Sequence, residues 1–117
     1  MTALKRRATK PTMREVRKIV SILQRSNPRR IILFGSLASG IAHSDSDIDL
    51  CVLVDDAMHR TFRVKQDLYR LLMAAHYEFP VDVDFRVYTL SEFRERLAGG
   101  DPFVNDIAQG RVVYSHE

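Results

Sequence analysis

Gly35-Ser36-Leu37-Ala38-Ser39-Gly40, followed after a short polar connector by Ser46-Asp47-Ile48-Asp49-Leu50, decides how the rest of the chain is read. It joins a phosphate-sized turn to a pair of carboxylates. Just upstream, Ile31-Ile32-Leu33-Phe34 is an apolar run rich in β-formers that stops abruptly at Gly35-Ser36, as a buried strand entering a tight turn does. Gly35 lets a ligand approach the main chain closely. If the residues after it open a helical turn, the Ser36 hydroxyl and the following amide N–H groups make an anion site.

Asp47 and Asp49 begin a second apolar run, Ile48 to Val54. In an extended strand residues two apart point the same way, so both carboxylates face one side while Ile48 and Leu50 face the other. Two such acids repel unless a cation lies between them, and oxygen-only ligands suit Mg²⁺ or Mn²⁺ rather than zinc. A further run, Val81-Asp82-Val83-Asp84-Phe85-Arg86-Val87-Tyr88, alternates with period two. It predicts a strand that buries Val81, Val83, Phe85 and Val87 and presents Asp82, Asp84, Arg86 and Tyr88 on its other face. If that strand lies beside the Asp47/Asp49 strand, three carboxylates converge near the glycine turn. Two-metal phosphoryl transfer, with ions about 3.5–4 Å apart, needs such a cluster.

Around this centre the remaining elements fall in order. Thr12 with Glu15 three positions later forms a capping box, and Val16, Ile19, Val20 and Leu23 follow at helical spacing to about Arg25. Asn27-Pro28 ends that helix and leads into a strand at Arg30. Asp55-Asp56 is expected to cap a helix from about Met58 to Tyr77. Thr89 or Ser91 opens a short helix to Leu97, Gly99-Gly100 breaks it, and Asp101-Pro102 starts another that ends at Gly110. A last strand runs from Arg111 to Tyr114. This order predicts an α+β fold, a twisted mixed sheet with helices packed mainly on one face.

The 117 residues suit a single domain, with residues 1–10 as a basic tail and 11–117 as the folded unit. No apolar run approaches a membrane span and the N-terminus lacks a signal-peptide core, so a cytoplasmic protein is expected. The lone Cys51 lies in an apolar strand and reads as a small buried hydrophobe. His43, His59, His76 and His116 share no zinc-ligand spacing. Residues 1–30 hold ten Lys/Arg against Glu15 alone, a charge of +9; the whole chain carries +3, so the remainder carries −6. The basic arm could touch RNA or an acidic partner, but no aromatic residue interleaves its charges, which favours a solvated tail over nucleic-acid binding.

Gly-Ser followed by Asp-x-Asp, with a third aspartate on a later strand, resembles the polymerase-β-type nucleotidyltransferases, most closely their small free-standing bacterial branch, the minimal nucleotidyltransferases. Gly35, Ser36, Ala38, Gly40, Asp45, Ser46, Asp47, Asp49 and Leu50 all stand in family order, and the likeness extends over about Ile31 to Tyr114. The resemblance implies the fold expected above. It implies that Gly35 and Ser36 bind the nucleotide, with Ser39 and Arg86 as further candidate binding residues, and that Asp47, Asp49 and Asp84 are catalytic and hold two Mg²⁺ (or Mn²⁺) ions. Asp84 is preferred to Asp82 for its family spacing to Thr89-Leu90-Ser91-Glu92-Phe93, with Asp82 still a competitor. Many relatives carry a basic residue where Ser39 stands, so Arg86 or Arg30 is expected to compensate, or nucleotide affinity is low. Arg86 has two readings, phosphate clamp or structural ion pair with Asp84.

The same resemblance implies transfer of AMP from ATP to a hydroxyl acceptor, and a helical HEPN-type partner toxin whose tyrosine is that acceptor, the chain acting as antitoxin. Two alternatives stand beside it. One is a catalytically weak antitoxin that masks its partner; the other is transfer to a small molecule, as in aminoglycoside-modifying relatives.

Overall fold

In the computed structural model, residues 11–43, 46–75 and 82–116 are described. The expected basic tail at 1–10 lies outside them. Thr12 closes its capping box as its sequence suggests: its hydroxyl accepts from the Arg14 N–H at 3.2 Å, and its own N–H donates to Glu15 Oε1 at 2.8 Å. Helix α1 (Met13–Leu23) follows and buries Val16, Ile19, Val20 and Leu23 along one stripe. A short 3-10 turn (Gln24–Ser26) and Asn27, in the left-handed region at φ 55°, turn the chain into strand β1 (Arg30–Phe34).

Strand β2 (Ile48–Val54) pairs antiparallel with β1, setting Phe34 opposite Asp49 and Arg30 opposite Leu53. Strand β3 (Val83–Thr89) pairs parallel with β2, setting Asp84 opposite Asp49. A parallel pair requires a crossover, which helix α3 (Thr61–Ala74) supplies. Strand β4 (Arg111–Ser115) adds antiparallel to the other side of β1, so the order is β3-β2-β1-β4 and the sheet is mixed.

The alternation along β2 divides the core. Ile48, Leu50, Val52 and Val54 face α1 and α3, where they pack with Ile31, Leu33, Phe85 and Leu68. Cys51 and Leu53 face the opposite side, covered by two short helices, α4 (Leu90–Ala98) and α5 (Pro102–Ala108), through Phe93, Val104 and Ile107. Asp49, on the same side as Cys51 but nearer the start of the strand, remains half-exposed. The buried Cys51 thiol is pushed up to about 12 by desolvation and stays protonated.

One local expectation is overturned. Asp55-Asp56 does not cap the crossover helix: Asp56 begins a separate 3-10 turn (Asp56–Met58), and α3 starts at Thr61 without a side-chain cap. The Asp56 carboxylate is engaged across space instead, accepting from the Ser91 N–H at 2.9 Å and from the Ser91 hydroxyl, while Thr89 Oγ1 accepts from the Glu92 N–H. Both acceptors stabilise the start of α4. The expected ends of α3 at Tyr77 and of β3 at Val81 lie outside the described residues.

Gly110 joins α5 to β4 where backbones are closest. A methyl group there would run into the Leu33 carbonyl oxygen and sit 3.0 Å from that of Ile107. Gly110→Ala is therefore expected to cost about 2 kcal/mol through overpacking. Chemical denaturation would read this as a lower midpoint at unchanged slope. Among the described residues, no helix is long and apolar enough to cross a membrane.

Candidate functional site

The end of β1 and the starts of β2 and β3 come together at one end of the sheet. Gly35 leaves β1 at φ 80°, ψ −160°, a region essentially reserved for glycine, and opens a single helical turn, α2 (Ser36–Ser39). Gly40, at φ 82°, closes it, and the Ile41 N–H donates to the Ser36 carbonyl at 3.0 Å. The connector then ties itself into β2. Buried Ser46 accepts from the His43 N–H through its hydroxyl and donates its own N–H to the His43 carbonyl, both at 2.9 Å. Asp47 and Asp49 leave this anchored bend in succession. Asp45 lies outside the described residues.

The Asp49 carboxylate lies directly against Gly35. An ideal Cβ on that glycine would overlap Asp49 Oδ2 and sit 3.1 Å from its Cγ. Turn and acid are thus one unit, although thirteen residues separate them in the chain. Burial first, then the charges of Asp84 and Asp47, push Asp49 up from 3.8 to about 6, with Arg86 acting in the opposite direction. Asp84 stands opposite Asp49 in the parallel register, and Arg86 Nε lies 3.9 Å from Asp84 Oδ2. Asp82 precedes the strand; its carbonyl accepts from the Ile48 N–H at 3.0 Å, and its carboxylate is not among the charges acting on Asp49.

The other predicted binding residues separate. Ser36 lines a cleft of about 450 Å³ between the glycine turn and the last turn of α5, where Asp106 and Gln109 form the far wall. Ser39 lines it too, but its hydroxyl donates to the Gly35 and Ser36 carbonyls at 3.2 Å each. Arg30 sits at the far end of β1, about 17 Å from Gly35 at strand rise, and so is no substitute for a basic residue at Ser39. Arg86 lies on the acid side.

Sequence reasoning missed Phe103. Its ring lies 5.0 Å under the Arg86 guanidinium carbon and meets Phe34 edge-on, centroids 5.9 Å apart at 88°. The signal available was local only: an aromatic residue just after an Asp-Pro helix start. What brings it to Arg86 is the packing of α5 on the sheet.

The donor set is entirely carboxylate oxygen, and burial, then repulsion from Asp84 and Asp47, disfavours full ionisation of Asp49. A hard divalent cation would relieve that repulsion, so the residues fit Mg²⁺ or Mn²⁺. Among the described residues, no three His, Cys, Asp or Glu side chains already stand close enough to form a metal cage.

The profile of a family described as "nucleotidyltransferase domain" matches residues 13–114. The fold is similar to the crystal structure of a candidate nucleotidyltransferase from Sulfolobus solfataricus, with a TM-score of 0.56 and 20% identity over 88% of this chain and 87% of that one. It is also similar to the crystal structure of a toxin-antitoxin with AMP-PNP, with a TM-score of 0.50 and 23% identity over 86% of this chain and 73% of that one. A search of curated proteins finds no match.

Proposed function

Because the chain belongs to the nucleotidyltransferase domain family, we propose that it transfers AMP from ATP to a hydroxyl on a protein partner, as the antitoxin of a toxin–antitoxin pair. The observation that carries this reading is the contact between Gly35 and Asp49: a turn able to admit phosphate lies against a carboxylate whose ionisation burial and two neighbouring acids oppose.

In this reading the first-turn N–H groups of α2 and the Ser36 hydroxyl hold the triphosphate. Asp47 and Asp49 hold divalent ions, Mg²⁺ or Mn²⁺, with Asp84 as third ligand. Bound there, the ions would neutralise the triphosphate and make the acceptor hydroxyl more acidic. Asp84 takes the hydroxyl proton as the acceptor oxygen bonds to the α-phosphorus; the bond to the β-phosphate oxygen breaks and pyrophosphate leaves. The protein's contribution is chiefly alignment and charge placement. AMP-PNP in a similar structure supports an adenine nucleotide, and the toxin-antitoxin there supports a protein partner. A HEPN-type identity for that partner, and a tyrosine as its acceptor, rest on the family resemblance.

A second reading, an antitoxin that masks its partner with little transfer, draws support from Ser39, uncharged and with its hydroxyl engaged inside α2. Incubation with ATP labelled at the α-phosphate, Mg²⁺ and the protein encoded in the adjacent reading frame separates the two. Label is expected on a partner tyrosine and is expected to vanish with Asp47→Ala or a chelator. Transfer that survives Asp47→Ala overturns the mechanism. Inhibition of the partner without label favours masking.

A further inference from the structure

Arg86 stands on a half-exposed strand face, and its only ion pair among the described residues, to Asp84 at 3.9 Å, is too long for a hydrogen bond and open to solvent on both sides. Pairs of that kind fix a long side chain weakly. The guanidinium is nevertheless held over a ring, 5.0 Å from the Phe103 centroid, in the geometry of a cation–π contact.

That ring is itself well fixed. Asp101 Oδ1 accepts from the Phe103 and Val104 N–H groups at 3.0 and 3.2 Å, which sets the first turn of α5. Val104 and Ile107, fully buried, anchor the helix to the sheet, while Phe103 stays 41% exposed. Its edge-on partner, Phe34, immediately precedes Gly35. A continuous run of contacts therefore leads from the glycine turn through Phe34 and Phe103 to Arg86 and the acids. Phe103 is not one of the buried core residues, and besides Phe34 its ring meets the Arg86 guanidinium.

We propose that Phe103 is a positioning residue for nucleotide binding, its ring holding the Arg86 guanidinium beside Asp84 and Asp49, where Arg86 contacts triphosphate oxygens in place of the basic side chain missing at Ser39. This rests on the nucleotidyltransferase reading. It also decides between the two readings of Arg86: the weak ion pair with Asp84 keeps the guanidinium near the acids, and the ring orients it toward the ligand.

Mg-ATP affinity measured by calorimetry on the full chain tests this with four variants. Phe103→Leu keeps apolar volume but removes the ring face, and is expected to weaken Mg-ATP about threefold. Phe103→Tyr is expected to bind as the parent does. Arg86→Gln is expected to weaken Mg-ATP about tenfold. The double variant Phe103→Leu/Arg86→Gln is expected to bind no worse than Arg86→Gln alone, because the ring acts only through the guanidinium. Unchanged affinity in Phe103→Leu, or a full threefold further loss in the Arg86→Gln background, overturns the proposal and leaves the family reading intact. A parent protein that binds no Mg-ATP overturns both.

Discussion

Replacing Asp49 with asparagine is expected to lower nucleotidyl transfer at least about a thousandfold while leaving the metal-free protein slightly more stable. The two effects have one cause. Asp49 is the acid on which burial and the charges of Asp84 and Asp47 act together, so in the folded chain its ionised form is held at a disadvantage. Asparagine keeps the shape, removes the repulsion, and removes the oxygen charge that a divalent ion needs. Label transfer and thermal melting of the same preparation read both outcomes. A variant that is inactive because it is misfolded would lower the melting temperature, the opposite of what is expected here.

The same residue gives the pH dependence its sign. A carboxyl raised from 3.8 to about 6 stabilises the fold fully below its unfolded value, and that contribution is lost as pH rises through 6. The metal-free protein is therefore expected to melt higher at pH 5 than at pH 7.5. After discounting for the half-exposed setting the difference amounts to about 1 kcal/mol, a shift of a few degrees. Asp49→Asn should flatten this slope. In the proposed function Mg²⁺ binding would run the other way, since it would require the ionised acid, and its affinity should fall as pH drops below 6. A melting temperature in chelator that is independent of pH between 5 and 7.5 would show that Asp49 titrates where ordinary aspartates do.

Much of the arrangement is legible in the chain because it is local. The capping box at Thr12, the apolar stripe through Leu23, the strand Ile48–Val54 and the helix starts at Thr89 and Asp101 each depend on residues within one or two turns of each other. The alternation around Asp84 likewise shows which face each side chain takes. Asp56 marks where such reading fails. An aspartate before a helical pattern ordinarily caps that helix, yet this one serves α4, thirty-five residues on, because folding brings Ser91 to it. The pairing of β3 beside β2 could be posed only as a condition, and the cover of the second sheet face by α4 and α5 is a matter of tertiary packing. Phe103 over Arg86 is the consequence for the site: both residues are conspicuous in the sequence, but nothing at a separation of seventeen residues announces that one lies on the other.

Gly35→Ala is expected to remove both the turn and the acid it supports. The backbone at φ 80°, ψ −160° costs a residue with a Cβ about 2–3 kcal/mol by itself. The added methyl group also occupies the space of the Asp49 carboxylate, so either the turn opens or Asp49 is driven from its place. Transfer should fall at least about a hundredfold, and the denaturation midpoint should drop. The steric part can be separated from the backbone part by a second substitution. In the double variant Gly35→Ala/Asp49→Ala the carboxylate that blocks the methyl group is gone, so stability should recover by about 1 kcal/mol relative to the sum of the single changes, while activity stays absent. Strict additivity would mean that the alanine methyl does not meet Asp49, and the close approach of turn and carboxylate on which the proposed function rests would not exist in solution.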